Sequence, residues 1–400
     1  MNPHSNLESV ALPVPNGYGT WGRGTRPEIS AFCSIAVKAL MSLFDEKELL
    51  FRRRITLREG AFRREAASQR RTVIALLGLK CLSDFGQQQP FDLESIENSV
   101  FQDNNWIEGV GDLGVLVQFA AEYNPNRLAL LADRFDLATA LGSFPDGREA
   151  RTAALSCFLA GISHAKLSSP DSLPDLTDAA VDTYRLLQEN QGPGGIFAHA
   201  GFPGLLQQPF SNRFGTIADQ MHAIYALTTF ARAFGIEEPL ADALNCANTI
   251  RALQGDKGQW WFLYDKRSSQ TVNRYPVRSI CQNGMAPMAL LALAEATGQN
   301  FDDAICGGLS WVAGANELAV DLRDWRHGMI WDSIEPRSRI TNFCDSALNL
   351  IHCSRKSPDE NLRVRFEARP DHFGWLLYAL TGFQGKAAPA KAASAGSAAD

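Results

Sequence analysis

The chain lacks a surplus of positive charge: across 400 residues, 38 Lys and Arg stand against 44 Asp and Glu, a formal net charge of -6. A basic surface is what displaces counterions from nucleic-acid phosphates, so this balance argues against nucleic acid as a partner. No apolar run approaches the roughly 20 uninterrupted residues that span a bilayer, and no transmembrane segment is expected. The opening MNPHSNLESVALPVPNGYGTWGRG has no positive stretch followed by an apolar block. No secretory signal is read there, and a cytoplasmic location is expected. The 8 cysteines include no C-x-x-C pair, and the 7 histidines never fall at ligand spacing with one another or with cysteine. The cysteines therefore read as small buried hydrophobes in a reducing compartment, with neither a disulfide framework nor a metal site. G-x-S-x-G, Walker A and strand-borne G-x-G-x-x-G motifs are also missing, and no cofactor is expected.

What the chain does have is apolar residues at helical spacing, broken by Gly and Pro turns. Helices are expected near 30–44, 66–84, 112–122, 127–141, 149–164, 175–190, 217–234, 238–253, 285–297, 302–314, 343–353 and 371–381. Residues 1–27 read as an irregular arm, 28–384 as the folded domain, and 385–400, with its Ala/Ser/Gly/Pro composition, as a low-complexity tail. The stretches at 215–235 and 278–298 repeat: Met221 meets Met285, Leu227 meets Leu291, and Asp219 meets Asn283. Each is followed by a second helix, and glycine-led aromatic segments recur as GGIFAHAG, GQWWFLYD and HGMIWDSI. A hairpin of helices cannot bury its apolar stripe alone, so repeated hairpins stack into an arc or close into a ring. About six units favour an all-α, (α/α)6 toroid with short β-like loop segments and a funnel at one end.

Gln254, Gly258 and Trp260 resemble the Q-x(2–5)-G-x-W repeat of terpenoid cyclases of the squalene and hopene type, and Gln191, Gly195 and Phe197 give an imperfect second copy. That resemblance implies the ring, but the D-x-D-D acid motif and the D-D-x-x-D diphosphate site of such enzymes are absent. The stretch QNGMAPMALLALAEATG (282–298) is similar to the Met-Ala-led inner helix of glucuronyl C5-epimerases, within the glycan-processing toroids that include uronate lyases and hydrolases. In that family the helix borders the sugar cleft.

Carboxylates at helix starts are the first candidates for chemistry. Asp112 and Asp219 each follow a turn into a helical run, where the helix dipole favours an ionised acid; a capping role is the plainer alternative. His222 would share a face with Asp219. Asp265 and Asp332 close two aromatic segments and could divide acid and base roles, or simply form ion pairs. Glu108 lies beside Trp106, whose apolar surface would favour a protonated carboxyl. In NRYPVRSICQNG, Arg278 is a candidate clamp for a substrate carboxylate, Tyr275 a candidate proton-transfer group, and Gln282 a polar neighbour. Trp260, Trp261, Tyr264, Trp325 and Trp331 are candidate sugar platforms or structural staples. The basic run from Arg52 to Arg71 reads first as a solvated helix face, with an anionic-ligand or membrane-surface site as the alternative.

These features point to a carbohydrate-active toroid enzyme, a hydrolase, lyase or epimerase on a small or oligosaccharide substrate, whether uronate-containing or neutral. The alternatives are a terpenoid cyclase or prenyltransferase-like enzyme and a non-catalytic glycan-binding toroid. The sequence leaves the oligomeric state open.

Overall fold

The computed structural model describes residues 28–103, 105–144, 147, 151–169, 175–200, 212–337 and 361–387, with side chains through 381. The N-terminal arm, the helix expected at 343–353 and the tail beyond 387 lie outside the described residues. Thirteen α-helices are described, in chain order: α1 Ile29–Leu43, α2 Gln69–Asp84, α3 Leu93–Gln102, α4 Val110–Tyr123, α5 Pro125–Phe135, the short α6 Ala140–Ser143, α7 Thr152–Ser168, α8 Thr177–Asn190, α9 Ile217–Phe234, α10 Glu238–Ala252, α11 Ala286–Thr297, α12 Asp302–Val312 and α13 Pro370–Ala387. A π-helical turn, Cys281–Met285, opens α11.

Inner and outer helices differ in their sequences. In α4, apolar residues occupy nearly every side and eleven of the fourteen residues are buried, as a helix surrounded by others requires. Its partner α5 buries only Leu128 and Leu131 and presents its polar face to water. The inner helices follow one another round a ring: α2 packs on α4, α4 on α7, α7 on α9, α9 on α11, α11 on α13, and α13 returns to α2. Outside them, α3 backs α2, α5 backs α4, α8 backs α7, α10 backs α9, α12 backs the start of α11, and α1 backs α13. The fold is an (α/α)6 toroid.

Small residues set how closely the inner helices approach. A Cβ on Gly114 of α4 would lie 2.3 Å from the Cys157 carbonyl oxygen of α7. The closing seam is built the same way, since a Cβ on Gly78 of α2 would lie 2.3 Å from the Gly374 carbonyl oxygen of α13.

Short antiparallel sheets cover the N-terminal ends of the inner helices. Phe214–Thr216 pairs with Leu263–Asp265, which pairs with Gln270–Asn273; Ser333–Pro336 lies between Val277–Arg278 and Leu362–Arg365; Ile55–Arg58 lies between Ala61–Arg64 and Glu367–Ala368. Three of these strands run directly into α9, the π-turn of α11 and α13, so the sheets form the rim of one mouth of the ring.

Three features differ from the sequence reading. Helix α3 was not expected, because LESIENSVFQ is mostly polar and buries only Ile96, Glu97 and Val100. The basic run is no helix face: Arg52 to Arg64 form a β-hairpin that turns at Gly60, φ 77°, and only Arg70 and Arg71 enter a helix. Helix α13 extends to Ala387, past the boundary placed at 384.

Candidate functional site

The paired tryptophans sit in a riveted segment. The Gln254 side-chain amide donates to the carbonyl oxygens of Gly258 (2.8 Å) and of Ala304 in α12 (2.9 Å), tying the turn to the next outer helix. Gln191 does the same for Gly195 (3.2 Å) and Asp242 in α10 (3.1 Å). From the inner side, Gln282 accepts from the Trp260 N–H (3.0 Å) and donates to its carbonyl (3.3 Å); Gln220 clamps Phe197 identically, at 2.8 Å in both directions. The clamp therefore equates Gln220 with Gln282 rather than Asp219 with Asn283.

Trp260 and Tyr264 are fully buried in this rivet, and Gln282 is its clamp. Trp261 is covered by the Arg274 guanidinium, 5.0 Å from a ring centroid, and by the edge of Tyr275. Tyr275 is buried and its hydroxyl donates to Glu317 (3.1 Å). Asp265 is enclosed by Arg213 (2.7 Å), the Arg267 N–H (3.0 Å) and the Ser268 hydroxyl (3.1 Å). Burial pushes this carboxyl up, but the Arg213 and turn hydrogen bonds outweigh it and hold it below the usual carboxylate range. Trp331 is buried with its N–H on Asp324 (3.2 Å), and Trp325 is half-buried nearby. Of the residues singled out in the sequence, Trp260, Trp261, Tyr264, Tyr275, Gln282 and Asp265 thus serve packing contacts or a hairpin turn, because rings and carboxylates at these loop ends are consumed by neighbouring hairpins.

A different set converges on the mouth. Asp112, in the first turn of α4, pairs with Arg70 in the first turn of α2 and accepts from the Glu108 N–H (3.1 Å). The Glu108 side chain is exposed, so no apolar enclosure acts on its carboxyl. Asp219 forms a capping box at the start of α9, accepting from the Thr216 N–H (2.8 Å) and hydroxyl (2.7 Å). It is also a partner of His199, whose Nδ1 lies 3.0 Å from the carboxylate. Capping and the histidine contact converge on one carboxylate: Oδ2 accepts from Thr216 and lies 3.0 Å from His199 Nδ1, and Oδ1 lies 3.2 Å from the same nitrogen.

One turn along α9, His222 meets the edge of Trp375 from α13, centroids 5.9 Å apart. Burial first, then the Arg70 guanidinium, push His222 down to about 4 against the pull of Asp219, so its imidazole is neutral near pH 7. On the next side, Asp332 is buried between Arg278 (3.6 Å) and Arg365 (4.0 Å), with the Ser333 hydroxyl at 3.2 Å. Arg71 pairs with Asp371, and Glu367 with Arg365 and Arg369. Arg369 feels the fields of Asp332, Glu367 and Asp371, and Arg70 those of Asp112 and Asp371, which makes the charges continuous round the mouth. Among the described residues, no group of three or more His, Cys, Asp or Glu could hold a metal ion.

The mouth brings together Asp112, Asp219, His222, Arg278 and Asp332. It adds His199, Arg365, Arg369 and Trp375, which the sequence did not assign to a site, and Arg70, which belongs to the basic run whose second reading was an anionic-ligand site. The only available signal for His199 was its place in an aromatic segment after Phe197; Arg365 and Arg369 follow the undescribed stretch 338–360 and carried none. No described helix is long and apolar enough to cross a membrane.

No family model matches the chain, and no curated protein matches it significantly. Solved structures do. A possible member of glycoside hydrolase family 105 from Salmonella enterica superposes with a TM-score of 0.57 at 12% identity, covering 95% of this chain and 98% of the other. An unsaturated glucuronyl hydrolase from Streptococcus agalactiae gives 0.58 at 10% identity, covering 90% and 93%. A sugar epimerase from a ruminal bacterium gives 0.59 at 11% identity, covering 89% and 98%. At such identities the likeness is one of fold.

Proposed function

We propose that this protein is a carbohydrate-active hydrolase whose mouth binds the anionic end of a uronate-containing oligosaccharide. The observation that carries the reading is the Asp219–His199 pair set beside arginines from several elements at one end of a closed ring. The neighbours of similar fold named for glucuronyl hydrolysis and sugar epimerisation support it. Thr216 fixes the Asp219 carboxylate, which in turn holds the proton on His199 Nδ1. The opposite ring nitrogen, on a side chain 33% exposed, is then free to accept a proton from water or a sugar hydroxyl. Arg278 and Arg70 offer planar donors to a substrate carboxylate in exchange for their contacts with Asp332 and Asp112. Neutral His222, half-buried and backed by Trp375, offers a flat ring to a sugar.

With Tyr275 committed to Glu317, proton transfer at the mouth falls to carboxylate and imidazole, which suits hydrolysis better than tyrosine-driven abstraction. The charged lining likewise opposes a hydrocarbon substrate, as a terpenoid cyclase would need. The test is turnover of unsaturated and saturated uronyl disaccharides against neutral ones, followed by chromatography. Turnover confined to acidic sugars, with Asp219→Asn and His199→Ala each lowering kcat by about a hundredfold or more, is expected. Binding without turnover would leave a glycan-binding toroid instead, and equal turnover of neutral sugars would remove the role given to the arginines.

A further inference from the structure

The arginine-rich hairpin is left unexplained by the site, and it is contiguous with the rim. Its strands, Ile55–Arg58 and Ala61–Arg64, form a sheet with Glu367–Ala368, which leads directly into α13; there Asp371 pairs with Arg71 at the start of α2. Residues 52–65 contain 6 arginines and 2 glutamates. Arg52 is neutralised by Asp45, and Arg54 by Glu65 and Glu367. Arg53, Arg58, Arg63 and Arg64 are exposed and have no carboxylate partner among the described residues.

Register places two of them together. Thr56 faces Arg63 and Arg58 faces Ala61, so Arg58 and Arg63 are diagonal neighbours on the outward face. Like charges so placed repel, and no carboxylate among the described residues relieves them. Beside the hairpin, Phe366, whose carbonyl accepts from the Leu57 N–H (3.0 Å), is 45% exposed and stands edge-on to Trp331. An open row of guanidiniums with an exposed ring at its edge fits a chain that is both anionic and built of flat apolar faces.

We infer that this hairpin is an extended docking strip for an acidic polysaccharide, which runs from the mouth past Arg71 and along Arg63 and Arg58. The inference rests on the proposed glycan substrate and adds its length: the preferred ligand is a long polyanionic chain rather than a disaccharide. A single exposed apolar ring beside the hairpin provides little to insert into a lipid surface, and a nucleic-acid duplex, with its bases stacked inside, presents no flat apolar face to that ring.

The experiment measures binding of fluorescent polygalacturonate and heparin fragments, from disaccharide through hexasaccharide to long chains, at several salt concentrations. Wild-type affinity should rise with chain length and fall with salt. The combined R58Q and R63Q variant should lose about tenfold or more for long chains, with disaccharide binding and urea midpoint unchanged. Long chains that bind no better than disaccharide, or phosphatidylserine vesicles or duplex DNA that bind as tightly, overturn it. Length-dependent binding without turnover of any sugar would sink the hydrolase reading and leave the strip standing; turnover of disaccharides without length dependence would do the reverse.

Discussion

Gly258 offers a test of the rivet that holds consecutive hairpins, because a matched control exists. Gly258 has φ 84° and Gly298, at the end of α11, has φ 73°. Alanine in this left-handed region costs about 1–2 kcal/mol at either position. At Gly298 a Cβ meets nothing within 4 Å, whereas at Gly258 it would fall 2.3 Å from the Gly307 carbonyl carbon and oxygen and 2.5 Å from its Cα. These are backbone atoms of α12, which no rotamer change can move aside. Overpacking of this kind adds about 1–3 kcal/mol, so Gly258→Ala should cost about 2–5 kcal/mol and Gly298→Ala about 1–2 kcal/mol. Urea unfolding of the two variants beside wild type, with unchanged slopes, measures the difference. Equal losses would mean that the hairpins are not in such close contact at the rivet, and the explanation of the glutamine-glycine-aromatic segment would fail with it.

Further outcomes follow from the mouth and its surroundings. His372 donates from Nε2 to Asn283 (2.7 Å) and is pushed from 6.5 down to about 4, by burial first, with Asp332 and Asp371 pulling back and Arg369 pushing the same way as burial. A histidine that must be neutral when folded takes up its proton more readily when unfolded, so stability should be complete above pH 6.5 and fall between there and pH 4, by about 3 kcal/mol. Unfolding against pH should show that slope, and His372→Gln should reduce but not abolish it, since His222 titrates in the same range; an unchanged slope would refute the assignment. Asp265→Ala should destabilise by about 1–3 kcal/mol through the stranded Arg213 while leaving kcat near wild type; a collapse of kcat at unchanged stability would restore Asp265 to the chemistry. Arg278→Gln should raise KM for acidic sugars by about tenfold and leave neutral sugars unaffected, read from initial rates.

The ring was legible in the chain because its inner helices are apolar on nearly all sides, as in α4 and α9, and because Gln191 and Gln254 mark equal steps of the repeat. Helix α3 was not, since three buried residues in ten are too few to raise a helical period above a polar background. The arginine hairpin was misread for a related reason: Ile55 and Leu57 give only a brief alternation, and the charges around them mask it. In the site, Asp112 and Asp219 were visible from their places in first helical turns. His199, Arg365 and Arg369 were not, because their approach depends on which loops meet over the mouth. Tyr275 and Asp265 drew notice by residue type, but only the fold shows that Glu317 and Arg213 take them up.

The seam between Gly78 and Gly374 has a temporal consequence. As the polypeptide leaves the ribosome, α2 emerges well before α13, so the flank of α2 that α13 will cover stays bare while the described helices between them are made. Loop closure across most of the sequence must then come late and slowly.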